Sequence, residues 1–166
     1  TCTCQILMYN YCIVIIATIN LLNNLKNEEI YMHALLLIAH GSRREASNQE
    51  VRELVARLEL TVGDRFDCVI PAFFELAEPD IPTGVDPCVE SGATTVTAAP
   101  YFLSAGRHVA IDIPAELDKA ARKHEAIKLL QSDYLGKHKT IPELLLALAL
   151  DKSETGTKHA IVQATI

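Results

Sequence analysis

The chain has 166 residues, 49% of them hydrophobic and 22% charged, and carries a formal net charge of -6. That length suits one buried core and is short for two, and the acidic balance argues against a nucleic-acid-binding surface. The five cysteines, Cys2, Cys4, Cys12, Cys68 and Cys88, form an odd set without a disulfide framework, so a reducing cytoplasm is the expected compartment.

Residues 1–31 differ in composition from the rest. Their apolar stretch from Ile6 to Leu25 is interrupted by Asn10, Asn20, Asn23 and Asn24, and no lysine or arginine precedes it as a secretory signal requires. The expectation is an upstream extension outside the fold, with Met32 as the natural start and no stable membrane association; a membrane or targeting segment is the alternative. Cys2, Cys4 and Cys12 lack the second paired cluster that makes a zinc motif specific.

From Met32, apolar runs alternate with amphipathic stretches, the signature of β-α units laying down a parallel sheet. Ala34 to Ala39 is continuously apolar, as expected of a strand covered on both faces, and ends at His40-Gly41-Ser42. Glu45 to Leu60 places Val51, Leu54, Val55 and Leu58 at helical spacing. A second strand is expected over Phe66–Phe74, closed by Glu75. Asp80 to Glu90 reads as a helix with a break or kink near Asp86, because Pro87 falls in its interior. The β-branched run Thr94–Ala99 is the third strand. A loop with Ser104-Ala105-Gly106 and then His108 follows, and Val109 to His124 reads as helical in its second half. Ala126–Leu130 is the fourth strand and Pro142–Leu150 the last helix. Residues 32–151 make up the expected domain and 152–166 a tail, in which Ala160–Ile166 is either an edge strand or disordered.

In an open parallel sheet, ligands collect at the carboxyl ends of the strands. His40, Glu75 and His108 each follow a strand, so the topology gathers them at one edge although they are far apart in sequence. Two imidazoles and a carboxylate suit a borderline divalent metal and leave coordination positions open, unlike a closed structural zinc site. Singly, each has a plainer reading: a hydrogen-bonded turn histidine, or a carboxylate at a helix start. Arg43, Arg44 and Arg107 flank the same edge and suit carboxylates or phosphates. The Gly41-Ser42 turn lacks the further glycines and lysine of a P-loop.

AHGSRREASNQEV, AFFELAEPDIP and AAPYFLSAGRHVAIDIP resemble the small sirohydrochlorin chelatases, the short cobaltochelatases and ferrochelatases of the cobalamin and siroheme pathways. The likeness extends from Met32 to about Leu150, where DYLGKHKTIPELLLALAL is similar to the family's closing strand, Leu-Gly turn and helix. It implies a three-layer chelatase-like half, with a roughly four-stranded parallel sheet flanked by helices. It also implies that His40, His108 and Glu75 are the catalytic and metal-handling residues. Ser42, Arg43, Arg44, Tyr101, Phe102, Ser104 and Arg107 would meet sirohydrochlorin. The divalent metal, Co²⁺ ahead of Fe²⁺, would be a substrate rather than a permanently bound cofactor. Larger members carry two such halves and this sequence has no internal duplication, so the resemblance implies a homodimer. Two other readings stay open: a tetrapyrrole or metal carrier without catalysis, and a histidine-dependent phosphatase or mutase. The second is weakened because Ala39 stands where that chemistry places an arginine.

Overall fold

The computed structural model describes residues 32–154, so the expected leader and the far end of the tail lie outside the described residues. In chain order the elements are β1 (Met32–Ala39), α1 (Glu45–Val62), β2 (Cys68–Phe73), α2 (Ile81–Glu90), β3 (Ala93–Pro100), α3 (Ile113–Lys123), β4 (Lys128–Gln131) and α4 (Ile141–Glu154). Short 3-10 turns cover Gly63–Arg65 and Leu135–Lys137, and a π-helical turn covers His108–Asp112. The four strands form one parallel sheet in the order β2-β1-β3-β4, the expected α/β class.

Alternation along β1 divides the core. Ala34, Leu36 and Ile38 are fully buried on the face covered by α2 and α3, where they meet Ile81, Val85, Cys88, Ile113 and Leu117. Leu35 and Leu37 turn to the opposite face, against Val51, Leu54 and Val55 of α1. Each large aliphatic side chain buried in this way contributes about 1.5–3 kcal/mol, which explains why the strand is apolar without a polar-apolar alternation.

Three expectations need correction. α2 is unbroken through Pro87. The missing proline N–H removes one helical hydrogen bond, but the Asp80 carboxylate accepts from Thr83 N at 2.8 Å at the helix start, and Ile81, Gly84, Val85 and Cys88 are buried along the inner face. Gly84 is required there: a Cβ would stand 2.8 Å from that of Ala72. The segment from His108 is also helical from its beginning, not only in its second half. Pro114 cannot donate to the carbonyl four residues back, and the ladder widens just before it, so that Ile113 N donates to His108 O. The last helix is longer than the expected Pro142–Leu150. No helix of the described residues is long and apolar enough to cross a membrane.

Candidate active site

β1 lies between β2 and β3, so the residue that follows it stands between the residues that follow its neighbours. Pairing continues past the strand ends: Phe74 N donates to Ala39 O at 2.8 Å, Glu75 N to His40 O at 3.0 Å, and Tyr101 N to Ile38 O at 2.7 Å. These bonds fix the backbone positions of His40 and Glu75 relative to one another.

His40 Nε2 lies 3.5 Å from Glu75 Oε1. The His40 and His108 rings are 5.2 Å apart, nearly perpendicular at 83°. Phe74 packs against both, 4.6 Å from His108 and 6.1 Å from His40, and Phe102 lies 6.2 Å from His40. The three polar side chains are 46%, 47% and 42% exposed for His40, Glu75 and His108, so they stand on an open edge of the molecule. The tertiary structure thus brings together the expected trio. Among the described residues, no group of three or more His, Cys, Asp or Glu side chains is arranged so that it could hold a metal ion.

Gly41 makes the turn after β1 possible. Its φ is +89°, and a Cβ there would fall 1.8 Å from Glu75 O, so the bare backbone is what lets the His40 and Glu75 segments touch. Asn48, a buried polar side chain of α1, holds the other side of the turn. It accepts from Ser42 N at 2.9 Å and donates to Ser42 O at 2.9 Å. Ser42 Oγ accepts from Arg44 N at 3.1 Å, so this hydroxyl shapes the turn. Arg43 and Arg44 are exposed beside it.

Sequence reasoning missed Asp112. Its carboxylate receives His108 Nδ1 at 2.9 Å and lies 3.4 Å from Arg107 Nε. A carboxylate oxygen accepts, so this bond assigns the proton to Nδ1 and leaves Nε2 as the ring nitrogen available to a ligand. The signal available was an acid four residues after a histidine, but it has meaning only once His108 is known to open a helical turn.

The two aromatics expected at a ring-binding surface are divided. Phe102 stands beside His40, whereas Tyr101 lines a cavity of about 370 Å³ with Glu50, Val51, Leu54 and Arg57 of α1. Ser104 and Arg107 are exposed on the loop between β3 and His108. Gly136 holds that loop in place: its N donates to Phe102 O at 2.9 Å, and a Cβ would fall 2.0 Å from Leu103 O.

Comparison with known proteins gives the family and the fold. The sequence model of the CbiX family matches residues 34–151. The chain belongs to the CbiX family. It is 36% identical over 125 residues to the chloroplastic sirohydrochlorin ferrochelatase of Arabidopsis thaliana, covering 75% of this chain and 53% of that one. Its fold is similar to that of the sirohydrochlorin chelatase SirB from Bacillus subtilis subspecies spizizenii, solved in complex with cobalt. That match has a TM-score of 0.67 and 28% identity, over 72% of this chain and 50% of the other. It is also similar to a putative cobalamin biosynthesis CbiX protein from Marinobacter aquaeolei VT8, with a TM-score of 0.58 and 28% identity, over 74% of this chain and 96% of that one. The chain spans about half the length of the first curated relatives it matches.

Proposed function

We propose that this chain is a sirohydrochlorin chelatase, a lyase that inserts a divalent metal, Co²⁺ by preference and Fe²⁺ next, in cobalamin or siroheme biosynthesis. The observation that carries this reading is the placement of His40, Glu75 and His108 on one exposed sheet edge, with the rings 5.2 Å apart. Membership of the CbiX family supports it, as do the names of the relatives.

Insertion of a dication requires two pyrrole N–H protons to leave the macrocycle as the metal enters. His108 offers Nε2 to the incoming metal because Asp112 holds Nδ1–H. Glu75 and His40, 3.5 Å apart, supply a second pair of groups that can bind the metal or accept a proton. Open coordination suits an ion that is a substrate and must depart. Arg43, Arg44 and Arg107 would meet the carboxylates of the macrocycle, with Ser42 and Ser104 nearby and Phe102 against the ring. Tyr101, on the α1 side, is the least favourably placed of the set. Among the described residues the open edge has no second wall, and pairing of two copies as a homodimer would provide one. Free Cys68 and Cys88 are in keeping with the cytoplasm as the compartment.

The test is anaerobic metallation of sirohydrochlorin by Co²⁺ or Fe²⁺, followed by absorbance. Acceleration over the metal-only background, reduced about 100-fold or more in folded His40→Ala and His108→Ala variants, supports the reading. Variants as fast as the parent overturn it, and ring binding without acceleration assigns the chain as a carrier.

A further inference from the structure

The first turns of α1 carry three polar side chains on one stripe. Glu45, Asn48 and Arg52 stand three and four residues apart, the spacing that lines side chains up along a helix, and they are bonded to one another. Glu45 Oε1 accepts from Arg52 Nη1 at 2.5 Å, and Glu45 Oε2 accepts from Asn48 Nδ2 at 3.2 Å. Asn48 Nδ2 also donates to Ser42 O, so both of its hydrogens are used and its oxygen is left for Ser42 N. The hydrogen bonds from Asn48 and then Arg52 hold the Glu45 carboxyl below its usual range, so it is ionised at neutral pH.

One end of this network grips the turn after β1, which carries His40. The other end reaches the segment after β2, which carries Glu75. Arg52 Nη2 donates to Glu78 O at 3.2 Å, and the guanidinium carbon lies 5.3 Å from the centre of the fully buried Phe73 ring. Glu75 falls between those two contacts, and the backbone beside it is held against its preference. Leu76 has a φ of +63°, a left-handed conformation uncommon for a bulky residue, and its side chain is half exposed. Such a conformation persists only where its surroundings impose it. Phe73 N donates to Pro79 O at 2.9 Å, which closes the segment on itself, and Arg52 ties it to the helix.

As an ion pair alone, Arg52 and Glu45 would count for little, because the Glu45 side chain is 74% exposed. Arg52 makes three contacts at once, however, and these need a planar fork: one nitrogen for a carboxylate, another for a backbone carbonyl, and a flat face for the phenyl ring. We propose that Arg52 is a positioning residue for Glu75, tying the segment after β2 through Glu45 and Asn48 to the turn after β1 and so setting the 3.5 Å spacing of Glu75 and His40. Its effect on metallation rests on the chelatase reading above, whereas its hold on Glu75 does not.

The experiment combines amide hydrogen exchange, read by NMR on the isotope-labelled full chain, with a cycle of single and double variants. Arg52→Ala is expected to speed exchange of the Glu75 amide, bonded to His40 O, at least 10-fold, and to leave unchanged the Tyr101 amide, bonded to Ile38 O on the other side of β1. In metallation the same variant should lower kcat about 10-fold with KM for sirohydrochlorin nearly unchanged. It should cost nothing further in a Glu75→Ala background, where nothing is left for it to position. Arg52→Lys keeps the charge and the stem but not the fork; it should fall between parent and alanine in both readouts, and it carries the test if the alanine variant does not fold. Unchanged exchange at Glu75, equal loss of protection at Glu75 and Tyr101, or the same kcat loss with and without Glu75 overturns the positioning role. A parent that does not metallate sirohydrochlorin removes the chelatase reading, and the exchange rates then decide the role of Arg52 by themselves.

Discussion

Replacing Gly41 by alanine tests whether backbone contact, rather than side-chain identity alone, sets the site. The added Cβ would fall 1.8 Å from Glu75 O, whereas real contacts essentially never come below 3.0 Å, so one of the two segments must move by about 1.2 Å. A shift of that size is enough to break the nearby hydrogen bond from Glu75 N to His40 O at 3.0 Å, and it changes the spacing of His40 and Glu75 directly. A misplacement of roughly 1 Å costs on the order of 100-fold in rate, or about 2.7 kcal/mol of transition-state stabilisation. The φ of +89° adds about 1–2 kcal/mol of native-state strain. The expected outcome is a folded protein with a lowered melting temperature and kcat/KM for metallation reduced about 100-fold. Gly106→Ala is the control, since a Cβ there meets nothing within 4 Å. A Gly41→Ala protein whose kcat/KM stays within about threefold of the parent would refute the reasoning.

Asp112→Ala should weaken metal binding about 10–100-fold, because His108 loses the group that fixes its ring and tautomer. Asp112→Glu should recover part of it, and an unchanged metal affinity and pH profile in the alanine variant would remove the positioning role. The hydrogen bonds from Lys123 and then His124 hold the Asp86 carboxyl below its usual range. Its folded pKa is below its unfolded one, so the α2–α3 latch stabilises fully above about pH 4 and is lost as pH falls through the folded value. Asp86→Asn should therefore destabilise by about 1 kcal/mol at pH 6, and the gap from the parent should close in acid; a gap independent of pH contradicts this. Burial pushes the Cys88 thiol up to about 12, so mass spectrometry after alkylation at pH 8 should find Cys88 unmodified in the native protein and modified after unfolding.

Sequence alone located the four strands to within a few residues: the second, expected over Phe66–Phe74, covers Cys68–Phe73, and the fourth, expected over Ala126–Leu130, covers Lys128–Gln131. A strand covered on both faces must be apolar throughout, so Ala34–Ala39 was legible, and with it the position of His40 at an edge where ligands gather. The helical period of Val51, Leu54, Val55 and Leu58 likewise follows from a one-sided core contact. Local patterns hid other features. Pro87 reads as a helix breaker, and only the buried contacts of α2 and its Asp80 cap keep that helix intact. Pro114 hid the turn that opens at His108, so the pairing with Asp112 could not be read from spacing. Tyr101 and Phe102 are neighbours in sequence, and the alternation of an extended chain sends them to different surroundings. The strand order β2-β1-β3-β4 was decided by tertiary structure alone, because hydrophobic patterns specify which faces are buried but not which strand becomes the neighbour. That order puts β1 in the middle and so places His40 within reach of both Glu75 and His108.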